Sequence, residues 1–366
     1  MINPRLLTAL VLITMWTATT HLSGQYQFTE TERVNCSPVK NQQRTGTCWS
    51  YATASLLESE VSRLGHGDVD LSEMYIVRNI YQDKAMNYIL RQGKANFSQG
   101  SLSHDLVRMV NTIGVMPQVA YTGLVPGAIG HDHSEMEAGL LGFLNGVNTM
   151  QMLSPKWMPA FDAILDTYLG QTPETFKYKG KSYTPTEFAS SLGIDAENYV
   201  SFTSFTHHPF GEAFILEIPD NYSNGEFVNI QLDDLVSLTK QAITDGYSLA
   251  WDGDVSEKGF SGKSGIAVLP SNPGRADLFT EPGGEVKVTQ ANRQQLFMSK
   301  STTDDHLMHI VGLAKDQSGN DYFIIKNSWG EISEHKGFLY MSEAYFRMKT
   351  VAVMVHKDAA QSNLED

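Results

Sequence analysis

The sequence predicts an α+β fold of two lobes, and three observations carry that prediction. Apolar residues recur at helical spacing through the first half of the chain. From about residue 197 the pattern changes to short β-rich runs. Glycine or polar turns separate those runs near the carboxyl end. Residues 25–35 read as an extended arm, and 36–47 as a loop broken by Pro38 and Gly46. A helix is predicted to begin at Cys48, with Ala54, Leu57, Val61 and Leu64 along one face and Gly65 placed to end it. A second helix spans 71–93, capped by Ser72, and a third spans 102–113, ended by Gly114. The stretch 125–146 is rich in glycine and acidic residues and reads as a linker or surface excursion; 156–169 is again helical. Strands are predicted at 214–218, 227–230, 248–251, 308–314, 322–326, 337–341 and 351–355.

Composition narrows the class of function. The 366 residues are 41% hydrophobic, enough to bury a sizeable core. With 27 basic and 41 acidic residues the formal charge is −14, which repels phosphate backbones and argues against a nucleic-acid partner. Residues 1–24 carry a short basic start, an apolar run from Leu6 to Trp16 and small polar residues up to Gly24. That is the pattern of a cleaved secretory signal, too short to span a bilayer, so the expectation is an exported protein with no stable membrane association. Two cysteines in an exported chain do not make a disulfide scaffold, and Cys36 is read as a small idle residue.

Cysteine attacks a carbonyl only as the thiolate, and a helix start or a neighbouring imidazolium favours that form. Cys48 opens the first predicted helix, at the positive end of its dipole. Among 11 histidines, His306 stands out: it follows Asp304 and Asp305 and begins the apolar run HLMHIVGLA. The turn KDQSGND and the second run YFIIKNSWG complete a hairpin that sets Asn327 beside the base of the first strand. An asparagine amide there can hold the imidazole in one tautomer. His309 competes with His306, but three positions along a strand put the two on opposite faces. Acyl transfer also needs donors for the oxyanion; the Cys48 N–H and Gln42, in the loop feeding the helix, are the candidates. His131 and His133, near Glu135 and Glu137, are read as a solvated loop cluster, and no metal or organic cofactor is expected.

The segment PVKNQQRTGTCWSYA (Pro38 to Ala52) resembles the active-site segment of papain-like cysteine peptidases. DHLMHIVG (Asp305 to Gly312) resembles their histidine segment and YFIIKNSWG (Tyr322 to Gly330) their asparagine segment. The resemblance implies Cys48 as nucleophile, His306 as general base and acid, Asn327 as its orienter and Gln42 as the oxyanion side chain. It implies Trp329 as a shield over the histidine–asparagine bond. LSEMYIVRNIYQDKAMNYIL, SQGSLSHDLVRMVNTIGVMPQVAY, LAWDGDVSEKGF and HKGFLYMSEAYF narrow the resemblance to the bleomycin hydrolase and aminopeptidase C branch, in which Gln99 and Gly100 line the substrate cleft. The implied organisation is a signal over 1–24 and one papain-like peptidase domain over 25–366. Within it lie a helical lobe at about 36–124, an inserted region at about 125–245, a β-rich, barrel-like lobe at about 246–355 and a tail at 356–366.

The chain also departs from the family. Thr45 stands where papain relatives carry a cysteine three positions before the nucleophile, and Cys48 and His306 lie 258 positions apart. In the bleomycin hydrolase branch, which is cytoplasmic and hexameric, a long carboxyl-terminal tail enters the cleft and enforces aminopeptidase action. Here only the polar stretch HKDAAQSNLED follows the last predicted strand. The expectation is therefore an exported cysteine peptidase acting on peptides or proteins, with aminopeptidase against endopeptidase action and oligomeric state left open. A thiol acyltransferase and a non-catalytic papain-like binding protein are the alternatives.

Overall fold

The computed structural model describes residues 25–361; the signal segment read at 1–24 lies outside the described residues. After the strand β1 (Thr29–Arg33) come the helices α1 (Cys48–Arg63), α2 (Glu73–Leu90), α3 (Ser103–Ile113), α4 (Ser134–Asn148) and α5 (Trp157–Leu169). The middle of the chain holds β2 (Phe176–Tyr178), β3 (Lys181–Tyr183), α6 (Pro185–Ser191), β4 (Tyr199–Thr203), β5 (Ala213–Ile215), β6 (Glu226–Asn229) and α7 (Leu232–Thr244). The last third holds β7 (Leu249–Gly253), β8 (Phe260–Ser261), β9 (Ile266–Ala267), α8 (Gln290–Met298), β10 (His306–Lys315), β11 (Asp321–Lys326), β12 (Phe338–Ser342), α9 (Glu343–Lys349) and β13 (Thr350–His356).

One large sheet runs in the order β5-β6-β4-β13-β7-β10-β11-β12-β9-β8, with β1 added alongside β10. β10 lies at its centre, antiparallel to β7 and β11. The helices α1 to α6 bury their apolar faces in one core with Leu57, Ile80, Leu106, Leu140 and Phe161. A second core fills the space between the sheet and α7 and α9, with Leu235, Trp251, Ile310 and Phe346. These two cores are the two lobes, and α1 is the element that lies against β10 and β7 between them.

The local signals explain most boundaries. Ser72 caps α2 by accepting a bond from the Tyr75 N–H at 3.1 Å. Gly114 ends α3 with φ 76°, a conformation glycine adopts freely. One expectation is corrected: 125–146 is not all linker, because α4 begins at Ser134. Met136, Leu140 and Leu144 recur every four residues, and burying them outweighs the helix-weakening effect of Gly139, Gly142 and Gly146. Among the described residues no helix is long and apolar enough to cross a membrane.

Candidate active site

Cys48 is the first residue of α1. Thr47 precedes it without a side-chain cap, and no acidic residue occupies the first turn. The free N–H groups of that turn therefore face the sulfur with their dipole uncompensated. Cys48 and Leu307 line the same cleft, and the backbones of Leu307 and Trp49 favour the thiolate form. Leu307 directly follows His306, so the strand start that carries the base candidate borders the cleft that holds Cys48. Both cysteines are free thiols.

His306 opens β10, opposite Gly253 of β7. Its Nε2 donates to Asn327 Oδ1 at 2.8 Å, which fixes the orientation of the ring. Asn327 follows β11, and its Oδ1 also accepts the Ser328 N–H at 2.7 Å, so the amide cannot turn freely. The Trp329 ring lies over His306 with centroids 4.8 Å apart, and Phe260 packs edge-on against that ring. His309 lies on the other face of β10. It meets α1 at Ser55, with Nδ1 2.8 Å from the hydroxyl, seven residues along the helix from Cys48. Gln42 is buried and doubly tethered: its Nε2 donates to the Thr45 carbonyl at 2.6 Å, and its Oε1 accepts from Ser328 Oγ at 2.6 Å. Ser328, absent from the sequence-based set, thus couples the asparagine segment to the oxyanion candidate.

Burial sets the resting protonation. It pushes the Cys48 thiol up to about 12, helped by the charges of Asp304 and Asp252. It pushes the His306 imidazole down to about 4 against the bond from Asn327. Each charge alone is disfavoured, so the proton moves from sulfur to nitrogen only as the two charges form together.

A cleft of about 350 Å³ opens beside Cys48, and Gln99 and Gly100 line it, as do Glu137, Asp220, Asp304 and Asp305. Gln99 bridges the walls: its Oε1 accepts from the Gly46 N–H at 2.7 Å and its Nε2 donates to Glu137 at 2.7 Å. Asp252 of β7 stands opposite Leu307 and faces Asp304. The reading of His131 and His133 as a solvated cluster is corrected at His133, which is 2% exposed with neither ring nitrogen partnered. Among the described residues, the side chains close enough to share a metal are instead the surface trio His207, His208 and Glu217.

The acidic wall makes a prediction. Burial raises Asp304 to about 7 and lifts Asp252 well above the ordinary carboxylate range, each reinforced by neighbouring carboxylates. Asp220, Asp305 and Lys84 face the same pair. A carboxyl held above its unfolded value binds a proton in the folded state that the unfolded chain releases, so its stabilising effect is lost as pH rises from about 4 through about 7. Buried histidines held low, such as His306 and His133, act oppositely, but only between about 4 and 6.5. Between pH 6.5 and 8 the melting temperature is therefore expected to fall, and Asp304→Asn is expected to flatten that slope. A wild-type melting temperature that rises over this interval counts against the assignment.

A family model described as "Peptidase C1-like family" matches residues 157–366, more than half of the chain. The chain belongs to this peptidase family. The matched span contains His306 and Asn327, and full-length relatives extend the likeness over Cys48. Aminopeptidase C of Lactococcus lactis subsp. cremoris is 21% identical over 88% of this peptidase and 81% of its own length. Aminopeptidase E of Lactobacillus helveticus is 24% identical over 87% and 81%. The crystal structure of PepW from Lactobacillus rhamnosis HN001 superposes with a TM-score of 0.73 at 18% identity, covering 92% of this chain and 84% of that one. The two-lobed α+β fold is thus the papain-like fold, and the chain is a cysteine-type peptidase of the bleomycin hydrolase-like branch.

Proposed function

We propose that this peptidase hydrolyses peptide bonds through Cys48, His306 and Asn327, with Gln42 completing the oxyanion site, and that it trims peptides from the amino terminus. The observation that supports this reading is a histidine held by an asparagine at 2.8 Å, on a strand whose next residue, Leu307, lines the cleft of a cysteine at an uncapped helix start. In the reaction, the Cys48 sulfur gives its proton to His306 and attacks the substrate carbonyl. The oxyanion is received by the Cys48 N–H and the second N–H of Gln42 Nε2. His306 then protonates the leaving amine, and a water molecule deprotonated by His306 opens the thioester. Asn327 keeps Nε2 engaged so that Nδ1 faces sulfur throughout.

Amino-terminal trimming is supported by the relatives, which are named as aminopeptidases. Export by way of residues 1–24 belongs to the same proposal, and finding the protein outside the cytoplasm with an amino terminus near Gln25 would support it.

The test is mass spectrometry after treatment with an epoxysuccinyl thiol inhibitor, beside turnover of unblocked peptides. A single adduct on Cys48, absent in Cys48→Ala and His306→Ala, is the expected result; an unmodified reduced wild type would overturn the reading. Gln42→Ala is expected to lower kcat by about 10²–10³. Its labelling at Cys48 should persist, because opening the epoxide forms no tetrahedral adduct at a carbonyl carbon, and the alkoxide released takes the proton held by His306.

A further inference from the structure

The acidic end of the cleft has no part in the chemistry just described. Twelve residues line the cleft, and none is Lys, Arg or His, while four are carboxylic: Glu137, Asp220, Asp304 and Asp305. Asp220 is the most specifically placed. It sits on the connection between β5 and β6, residues 216–225, over the backbone of Gly100. A Cβ on Gly100 would lie 1.8 Å from Asp220 Oδ2, so the carboxylate fills the space that the missing side chain leaves.

The protein fixes one oxygen of that carboxylate and leaves the other open. Oδ1 accepts from Asn96 Nδ2 at 2.9 Å and from Ser98 Oγ at 3.4 Å. Among the described residues no donor holds Oδ2. The connection is braced: Asn221 Nδ2 donates to the carbonyls of Leu216 and Gly225, each at 2.9 Å, and Tyr222 Oη donates to Asp83 at 2.8 Å. Beside it, Asp304 faces Asp252, which is 4% exposed, and among the described residues no basic side chain bonds either carboxyl. The nearby cation, Lys84, is turned to the Gly100 carbonyl behind the cleft wall. Buried carboxyls that face each other in this way, with Lys84 as the nearby cation, favour the arrival of a further cationic donor.

A peptide continuing past Gly100 would have to displace the braced Asp220. A peptide that ends there presents its α-ammonium, with three N–H donors, to the open oxygen. Resting on the reading of Cys48 as nucleophile, we propose that Asp220, together with Asp304, receives the α-ammonium of the substrate's first residue, so that an internal loop carboxylate sets amino-terminal action. Acylating that amine would remove the charge and set a carbonyl against the carboxylates. A bound ammonium would also offset the charges of Asp304 and Asp252 that disfavour the Cys48 thiolate, which couples recognition to activation. A lysine or arginine side chain offers similar chemistry, and the test separates the two sources.

The experiment compares kcat/KM for aminoacyl-coumarylamides with a free α-amine, for their N-acetyl forms and for the N-acetyl-lysyl compound. The free amine is expected to be favoured by on the order of 100-fold or more. Asp220→Asn, and Gly100→Ala through expulsion of Asp220, should each cut that ratio at least about tenfold, chiefly through KM. Protection of Cys48 from the epoxysuccinyl inhibitor by an amino-acid amide, but not by its acetylated form, reads the same site without turnover. Equal use of free and acetylated substrates, an unchanged ratio in both variants, or N-acetyl-lysyl turnover matching the free amine overturns the proposal. Failure of the inhibitor to label Cys48 at all is a different result: it removes the nucleophile reading on which the proposal stands.

Discussion

Replacing Cys48 by alanine is expected to lower kcat by on the order of a million-fold, and adding His306→Ala to it is expected to cost almost nothing more. The physical reason is that the two side chains act as one unit. Burial disfavours each charge separately, pushing the thiol up to about 12 and the imidazole down to about 4. The reactive thiolate therefore exists only as the partner of the imidazolium, and losing either residue removes both. What survives is the contribution of binding and of the oxyanion donors at the helix start and Gln42, which neither substitution touches directly. The measurement is single-turnover kinetics on one unblocked substrate for the two single variants and the double variant. Additive losses would mean that Cys48 and His306 serve separate steps. The chemistry would then have to be assigned to another pair, with His309 excluded by its bond to Ser55, seven residues along α1 from Cys48.

How much of this was legible in the sequence depended on the range over which each interaction acts. The nucleophile could be placed because a helix start is a local event, and β10 with β11 because a hairpin joins neighbours in the chain. Hence Cys48, His306 and Asn327 could be named together; the structure pairs His306 with Asn327 and sets Leu307 beside Cys48 in the cleft. α4 was misread because three glycines looked like a loop, although Met136, Leu140 and Leu144 carried the helical period. α7 was passed over within a region read as strands, although Leu232, Leu235, Val236, Thr239 and Ile243 follow the same period; its start, Gln231, lacks a side-chain cap. Asp220 had no local signal. Its partners Asn96 and Ser98 lie more than 120 positions away, so only the folded chain shows that this carboxylate lines the cleft. The pairing of Asp252 with Asp304 is of the same kind, set by the register of β7 against β10.

A second long-range contact governs stability and reaches the active site. Lys349, at the end of α9, is fully buried; its Nζ bonds Asp254 Oδ2 at 3.2 Å and the Ser301 carbonyl at 2.6 Å, and pairs with Glu257. Asp254 is itself 1% exposed and accepts the Thr303 N–H at 3.2 Å. The cluster therefore ties down residues 301–305, the segment that delivers His306 to β10. Lys349→Met removes the cation and leaves a buried carboxylate without its counter-charge, which is expected to destabilise the fold by about 3–5 kcal/mol and to lower the melting temperature by roughly 5–10 °C. Adding Asp254→Leu should recover only part of that loss, since Ser256 and Thr303 then lose their acceptor. If the segment positions the base, Cys48 alkylation by the epoxysuccinyl inhibitor should slow in Lys349→Met well below its melting temperature. A destabilised variant whose labelling rate equals that of the wild type would confine the cluster to holding the lobe together. It would leave the placement of His306 to β7, Asn327 and the covering Trp329 alone.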